Sequence, residues 1–352
     1  MNGCRLFSVL GLTALLSLAQ GQGVAPHSAS TRDKAVQQKW TPPRTADGHP
    51  DLQGVWANNT ATPLERPKEL AGRPLLTDEE VTAMKKKATE LYDGNGDAAF
   101  GDTFYQSVLA SVKDSASGPH KKAANEFDGG TGDYSSEWIV AREWDNRTSL
   151  ITDPPDGKLP AMTAEGKARR DAAFAALSRP ATGPEDRGLQ ERCITYGSPQ
   201  LVAGYQSYYQ VQQTSDSVII MTEMIHDARV IPLDGRPHLP SAIRQWMGDS
   251  RGHWEGDTLV VESTNYKPKS FMSASSEKLH VIERFSRTGP ENLKYEITID
   301  DPGTWTKPWS LMIPLKQTSQ RIYEYACHEG NEGLAGILAG ARAEEKAAGS
   351  GK

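Results

Sequence analysis

The run Leu279-His-Val-Ile-Glu-Arg-Phe285 sets a single carboxyl group among apolar side chains. In an extended chain successive residues face opposite ways, so Leu279, Val281, Glu283 and Phe285 share one face and His280, Ile282 and Arg284 the other. A carboxylic acid held in apolar surroundings keeps its proton towards neutral pH and can act as a general acid or base. The same position suits a buried ion pair between Glu283 and an arginine of a neighbouring strand. The second cluster is Glu223-Met-Ile-His-Asp-Ala-Arg229. Without a bulge, Glu223, Asp227 and Arg229 share a face and His226 takes the other. A bulge at Ile225–Asp227 would turn His226 and Glu223 towards the same cavity mouth. An imidazole beside a carboxylate suits proton transfer, and a hairpin turn with a solvated polar tip fits the same residues. The acid/base candidates are therefore Glu283, His226, Glu223 and Asp227.

Substrate-binding candidates are Arg229, Asp249, Arg284, Trp309 and His328. Asp249 lies in a mixed loop with Arg244, Trp246 and Arg251, ahead of a tight hairpin turn at Glu255-Gly-Asp257. Trp305 and Trp309 flank Pro308 and either plug one end of a barrel or stack on a ligand. His328 follows Cys327 directly. No His-x-x-x-His spacing supports a metal bound by His226, His280 and His328. Nucleophile-elbow, phosphate-loop and dinucleotide fingerprints are absent from the sequence, so no cofactor is expected. Asp93-Gly-Asn-Gly-Asp97 opens like a calcium loop, but Ala98 and Phe104 stand at the glycine and closing-glutamate positions. Asn58-Asn-Thr60 and Asn146-Arg-Thr148 match glycosylation sequons, relevant only in a eukaryotic source.

These side chains need a frame. From residue 201 to 330 short β-branched and aromatic runs alternate with turn residues. The strands expected are 205–213, 218–225, 228–232, 258–264, 279–286, 293–300, 309–315 and 321–326. Such spacing points to an antiparallel meander of eight or nine strands, closing into a lipocalin-like barrel with peripheral helices. Residues 51–200 read as a first strand, Asp51–Ala57, followed by a helical and loop insertion. One helix starts at Thr77, where Thr77 and Glu80 form a capping box. Another covers Ala164–Leu177 behind Thr163 and ends before Pro180. The stretch 93–133 reads as a surface excursion, Ser149–Lys158 as a short strand with a Pro/Gly turn, and 331–352 as a C-terminal helix and tail.

The segments Ile243–Glu262, Leu279–Phe285 and Tyr325–Asn331 resemble those of an uncharacterised family of exported bacterial proteins. The likeness spans most of residues 40–345. It implies a bacterial source and a periplasmic address, and carries over no catalytic residue. Gly54-Val-Trp56 is similar to the Gly-x-Trp opening of lipocalin-type barrels, which by analogy implies a ligand-sized barrel.

Export is also written in the N-terminus. Arg5, the apolar run Leu6–Leu18 and Ala19-Gln-Gly21 read as a cleavable signal over residues 1–21; the run is too short to span a bilayer comfortably, and a retained, uncleaved anchor is the alternative. Residues 22–50 read as an extended lead-in. After cleavage no stable membrane association is expected, so the protein would be periplasmic or secreted. Only Cys193 and Cys327 remain, an even pair that an oxidising compartment would join in a disulfide. Two separate buried thiols are the alternative. The net charge of −6 argues against a nucleic-acid partner, which asks for a basic surface. The partner expected is a small molecule; oligomeric state is not readable. Two functions fit: an exported, cofactor-independent enzyme acting by buried acid/base groups on a small, partly apolar substrate (isomerase, lyase, cyclase or hydrolase), or a non-catalytic carrier of an apolar or aromatic molecule. Ionisable groups facing inward favour the enzyme.

Overall fold

Alternation of apolar and polar side chains builds a mainly β protein around one large antiparallel sheet. The computed structural model describes residues 40–91, 102–114 and 142–350, apart from 202, 204 and 205. The expected signal segment and most of the expected lead-in lie outside these residues. The strands are β1 (Gly54–Ala57), β2 (Ile151–Asp153), β3 (Tyr208–Gln213), β4 (Ser217–Thr222), β5 (Ala228–Pro232), β6 (Asp249–Glu255), β7 (Thr258–Thr264), β8 (His280–Gly289), β9 (Asn292–Asp300) and β10 (Trp309–Thr318). Four helices accompany them: α1 (Asp78–Leu91), α2 (Asp102–Asp114), α3 (Ala164–Leu177) and α4 (Glu332–Ser350). No helix among the described residues is long and apolar enough to cross a membrane.

The strand order is β5-β4-β3-β1-β10-β9-β8-β7-β6, with β2 paired to β10. Short hairpins explain both flanks, since consecutive strands pair as antiparallel neighbours. β1 joins the flanks: Val55 pairs with Gln210 of β3 on one side and Thr318 of β10 on the other. The insertion over 58–207 thus departs after β1 and returns at the adjacent β3, contributing β2 to β10 on the way. The sheet is not closed into a hydrogen-bonded barrel. Its outer strands, β5 and β6, nevertheless come within 8 Å of each other, Cα to Cα. Gly252 permits this approach, because a Cβ there would sit 2.8 Å from Leu233 Cδ2 and 2.9 Å from Ile231 Cγ2.

The inner face carries one continuous core. β8 to β10 alternate strictly, burying Val281, Glu283 and Phe285, then Leu293, Tyr295, Ile297 and Ile299, then Trp309, Leu311, Ile313 and Leu315. Trp56, Val211, Val218, Ile220, Ile231, Leu259 and Val261 complete it from the other strands. Trp309 is fully buried and meets Trp305 edge-on at 5.6 Å. Of the two readings of this pair, packing is the one realised, so Trp309 offers no face to a ligand.

The helices form as their end signals dictate. In α1, Glu80 N donates to Thr77 Oγ1 at 3.2 Å and Thr77 N to Glu80 Oε2 at 2.9 Å. In α3, Gly166 N donates to Thr163 Oγ1 at 3.0 Å. α2 corrects the reading of 93–133 as an excursion without periodicity. Phe104, Tyr105, Val108 and Leu109 recur one turn apart and join Leu70, Leu76, Val81 and Met84 in a second, smaller core. The surrounding Gly, Asp and Ser residues mask that stripe in the sequence.

Two strand assignments also change. The mixed loop at Asp249 is itself a strand, β6. Its inward positions, Ser250, Gly252 and Trp254, are mostly small, so they give little apolar signal. Residues 321–326 form no strand. They run as a strap held by Tyr323 N to Glu223 Oε1 at 3.0 Å and by His226 Nδ1 to Tyr325 O at 2.8 Å. The Cys193–Cys327 disulfide fastens its far end.

Candidate functional site

The carboxylate of Glu283 points into the interior and is wholly buried. Of the two readings of this position, the buried ion pair with an arginine is the one realised. Arg229 Nη2 donates to Oε1 at 2.8 Å, Arg229 Nη1 donates to Oε2, and the Tyr295 hydroxyl also donates to Oε1. The arginine comes from β5, across the interior rather than from a strand beside β8. Burial by itself would lower the basicity of Arg229, but the facing carboxylate raises it, so the guanidinium stays charged. Burial pushes the Tyr209, Tyr266 and Tyr295 hydroxyls above their ordinary range, with the charge of Glu283 adding to it. Both oxygens of Glu283 are engaged, so it serves as the counter-ion of Arg229 rather than as a free acid.

Beside this pair lies a cavity of about 20 Å3, lined among others by Gln200, Tyr209, Asp227, Arg229, Phe285 and Tyr295. That volume admits about one water molecule. Phe285 and Tyr295 stack at 4.4 Å and form its apolar wall. Its polar wall is unusual. Gln200 Nε2 is buried without a hydrogen-bond partner among the described residues. Among the described residues Asp227 is fixed through one oxygen only: Oδ2 accepts from Thr195 Oγ1 at 2.5 Å and Tyr196 N at 3.1 Å. Burial raises the Asp227 carboxyl, and these two donors hold it part of the way back.

Thr195 and Tyr196 also wall a wider groove of about 620 Å3, bordered by α3 and by residues 185–192 and 268–273. Asp227 is therefore one hydrogen bond behind the groove wall and in direct contact with the water-sized cavity. Backbone strain gathers here. Among the described residues, Cys193, Ile225, His226, Lys269, Met272 and Ser273 all adopt positive φ without being glycine. Ile225, at φ 60°, is the least expected, because a β-branched residue is crowded in that conformation. Strain of this kind persists only where surroundings over-determine it, and it clusters at ligand sites.

The remaining expected residues go elsewhere. β4 stops at Thr222 and a turn over Met224–His226 leads into β5, so the hairpin turn with an exposed His226 at its tip is the reading realised, and the continuous strand on which the shared face of Glu223, Asp227 and Arg229 depended is not. His226 is exposed and spends its Nδ1 on the strap. Glu223 is buried; Oε1 accepts from Tyr323 N, while Oε2 has no partner among the described residues, and burial raises its carboxyl. Asp249 is buried as a loop clamp, accepting from His238 Nδ1 and Leu239 N at 2.9 Å and from Arg251 Nη1 at 2.7 Å. These partners outweigh its desolvation and lower its carboxyl. Arg284 sits on the outer face, paired with Glu255 at 2.7 Å, and His328 is exposed. Asp249, Arg284, Trp309 and His328 line neither the cavity nor the groove.

Gln200, Thr195 and Tyr295 were missed in the sequence. Tyr295 could have been found, because it holds the inward register of β9 between Leu293 and Ile297. Nothing local distinguishes Thr195 or Gln200. Among the described residues no three His, Cys, Asp or Glu side chains converge to hold a metal ion. In comparisons with protein families, with curated proteins and with solved structures, nothing matches this chain.

Proposed function

We propose that this is an exported enzyme that hydrolyses or hydrates a small, partly apolar substrate by acid/base chemistry, without a metal or organic cofactor. The observation carrying this reading is Asp227: among the described residues one oxygen is fixed and the other unengaged, in a cavity that fits one water beside Gln200 Nε2, which has no partner there either, and the charged Arg229. A water placed there gives its proton to Asp227 as its oxygen bonds to an electrophilic carbon. Asp227 then returns the proton to the leaving oxygen or the neighbouring carbon. Burial helps twice, by making the carboxylate a stronger base and by limiting competing solvent. Only two of the five N–H bonds of Arg229 are committed to Glu283, so the rest remain for developing negative charge.

The same reading takes the sheet as barrel-like, its β5–β6 seam filled by side chains at Gly252 instead of a hydrogen-bonded ladder. The alternative, a carrier holding an apolar molecule in its interior, is less well supported. Ligand cavities run to about 300–1,000 Å3, and side chains leave about 20 Å3 in the interior; on the enzyme reading only the water sits there, and the substrate approaches from the groove of about 620 Å3 beyond Thr195 and Tyr196.

The test is a panel of small esters, lactones and epoxides, assayed with the mature protein between pH 5 and 8. Turnover that rises as Asp227 loses its proton, and falls about 100-fold or more in Asp227→Asn at unchanged melting temperature, supports the proposal. Equal rates in both proteins, or no turnover of any panel member, overturn it.

A further inference from the structure

The groove beside Asp227 has a chemistry of its own. Its floor along α3 is apolar and open because Ala172, Ala173 and Ala176 are small, and Leu177 closes one end at 45% exposed. Met272, 42% exposed, and Trp246 face it from the other side. Surface side chains this apolar, gathered in one concavity, mark a place where something docks. The charges around them are lopsided. Arg179, Arg187, Arg192 and Lys269 line the groove against Glu185 and Asp186, and Asp186 is already taken by Arg179 at 2.9 Å. Arg187, Arg192 and Lys269 have no ion-pair partner among the described residues. Arg187 Nε is moreover shut away from solvent with no hydrogen bond. On a chain of net charge −6, a local excess of unpaired cations beside an apolar floor is not a general surface property.

We propose that this groove binds an amphiphilic carboxylate, with an aliphatic or aromatic body over Ala173, Ala176 and Met272 and its carboxylate on Arg187 and Arg192. Guanidinium groups suit this role because their planar N–H pairs match a carboxylate. A polyanion would ask for a basic track extending beyond the groove, and a neutral lipid would leave Arg187 unsatisfied. The inference adds a ligand class to the reading of Asp227 as a catalytic group, yet binding in the groove does not depend on that reading.

The experiment uses decanoate, decanol and decylammonium, each below its micellar concentration, titrated calorimetrically into the mature protein and into Asp227→Asn. The three probes share one chain and differ in charge. Decanoate should bind both proteins equally and about tenfold or more tighter than decanol, a margin typical of a charge-assisted hydrogen bond, with decylammonium weakest. Arg187→Gln should remove most of that margin and leave decanol affinity unchanged. Leu177→Asp should weaken decanoate and decanol together. Equal affinity for decanoate and decanol, tighter binding of decylammonium, or an unaltered decanoate affinity in Arg187→Gln overturns the proposal. Equal decanoate binding by an inactive Asp227→Asn would keep this site separate from the fate of the catalytic reading.

Discussion

Replacing Glu283 by Gln tests whether the interior pair is a closed electrostatic unit. The carboxylate is 0% exposed and its arginine 10% exposed, so neither charge can turn to water when the other is removed. The substituted amide would still accept from Tyr295 and once from Arg229, but the guanidinium would be left buried with no counter-charge. Breaking a buried pair on one side costs about 3–5 kcal/mol, a large share of the ~5–15 kcal/mol that holds a domain together. In urea, with a slope of ~3 kcal/mol/M, the unfolding midpoint should fall by roughly 1–1.7 M. Arg229→Met should cost a similar amount, because it strands the carboxylate instead. The double variant Arg229→Met/Glu283→Gln carries no buried charge and should recover to within about 1–2 kcal/mol of wild type. Tryptophan fluorescence in oxidising buffer at pH 7 follows all four proteins, and an unchanged slope licenses the comparison. Single variants losing less than ~1 kcal/mol, or a double variant as unstable as the summed singles, would refute the argument and return Glu283 to the list of available acids.

Three other outcomes follow from the geometry. Burial raises the Glu223 carboxyl above its ordinary 4.5, so its contribution is complete below that pH and fades as pH rises through the raised folded value. Urea midpoints of Glu223→Gln should therefore gain on wild type from pH 4.5 to 7; a difference constant with pH would contradict this. Cys327→Ser opens a bridge spanning 134 residues and should cost about 2–5 kcal/mol. Dithiothreitol should lower the melting temperature of wild type to match the variant and leave the variant unmoved. Gly252→Val pushes a side chain into Ile231 and Leu233 and should cost about 1–3 kcal/mol by overpacking, whereas an unaffected midpoint would mean the β5–β6 seam is loose.

Much of the frame is legible because period and end signals agree. Leu279 to Phe285 alternates cleanly, and the structure buries the expected face, Glu283 included. Ala164–Leu177 is bounded by Thr163 and Pro180, and the helix spans those residues. The site is less legible because its parts are joined across the chain. Asp227 stands out beside His226, but its donors Thr195 and Tyr196 lie in an irregular segment whose sequence says nothing of where it packs. The expected face shared by Glu223, Asp227 and Arg229 presumes a continuous strand. The turn at Ile225 and His226, both at positive φ, breaks it, and no local propensity announces that a β-branched residue will occupy such a conformation. The partner of Glu283 is hidden for a related reason. Strand alternation tells which way a side chain points, not which strand faces it across a filled interior.

The place of β1 has a consequence for how the chain assembles. Val55 needs both Gln210 and Thr318, so the strand made first sits inside the sheet and waits for the last. Contacts this distant in sequence make for slow folding. Until β10 arrives, one flank of β1 stays bare and able to pair with a foreign strand. A chain cut short before residue 309 would carry that bare flank permanently, and clumping rather than a smaller working protein is its expected fate.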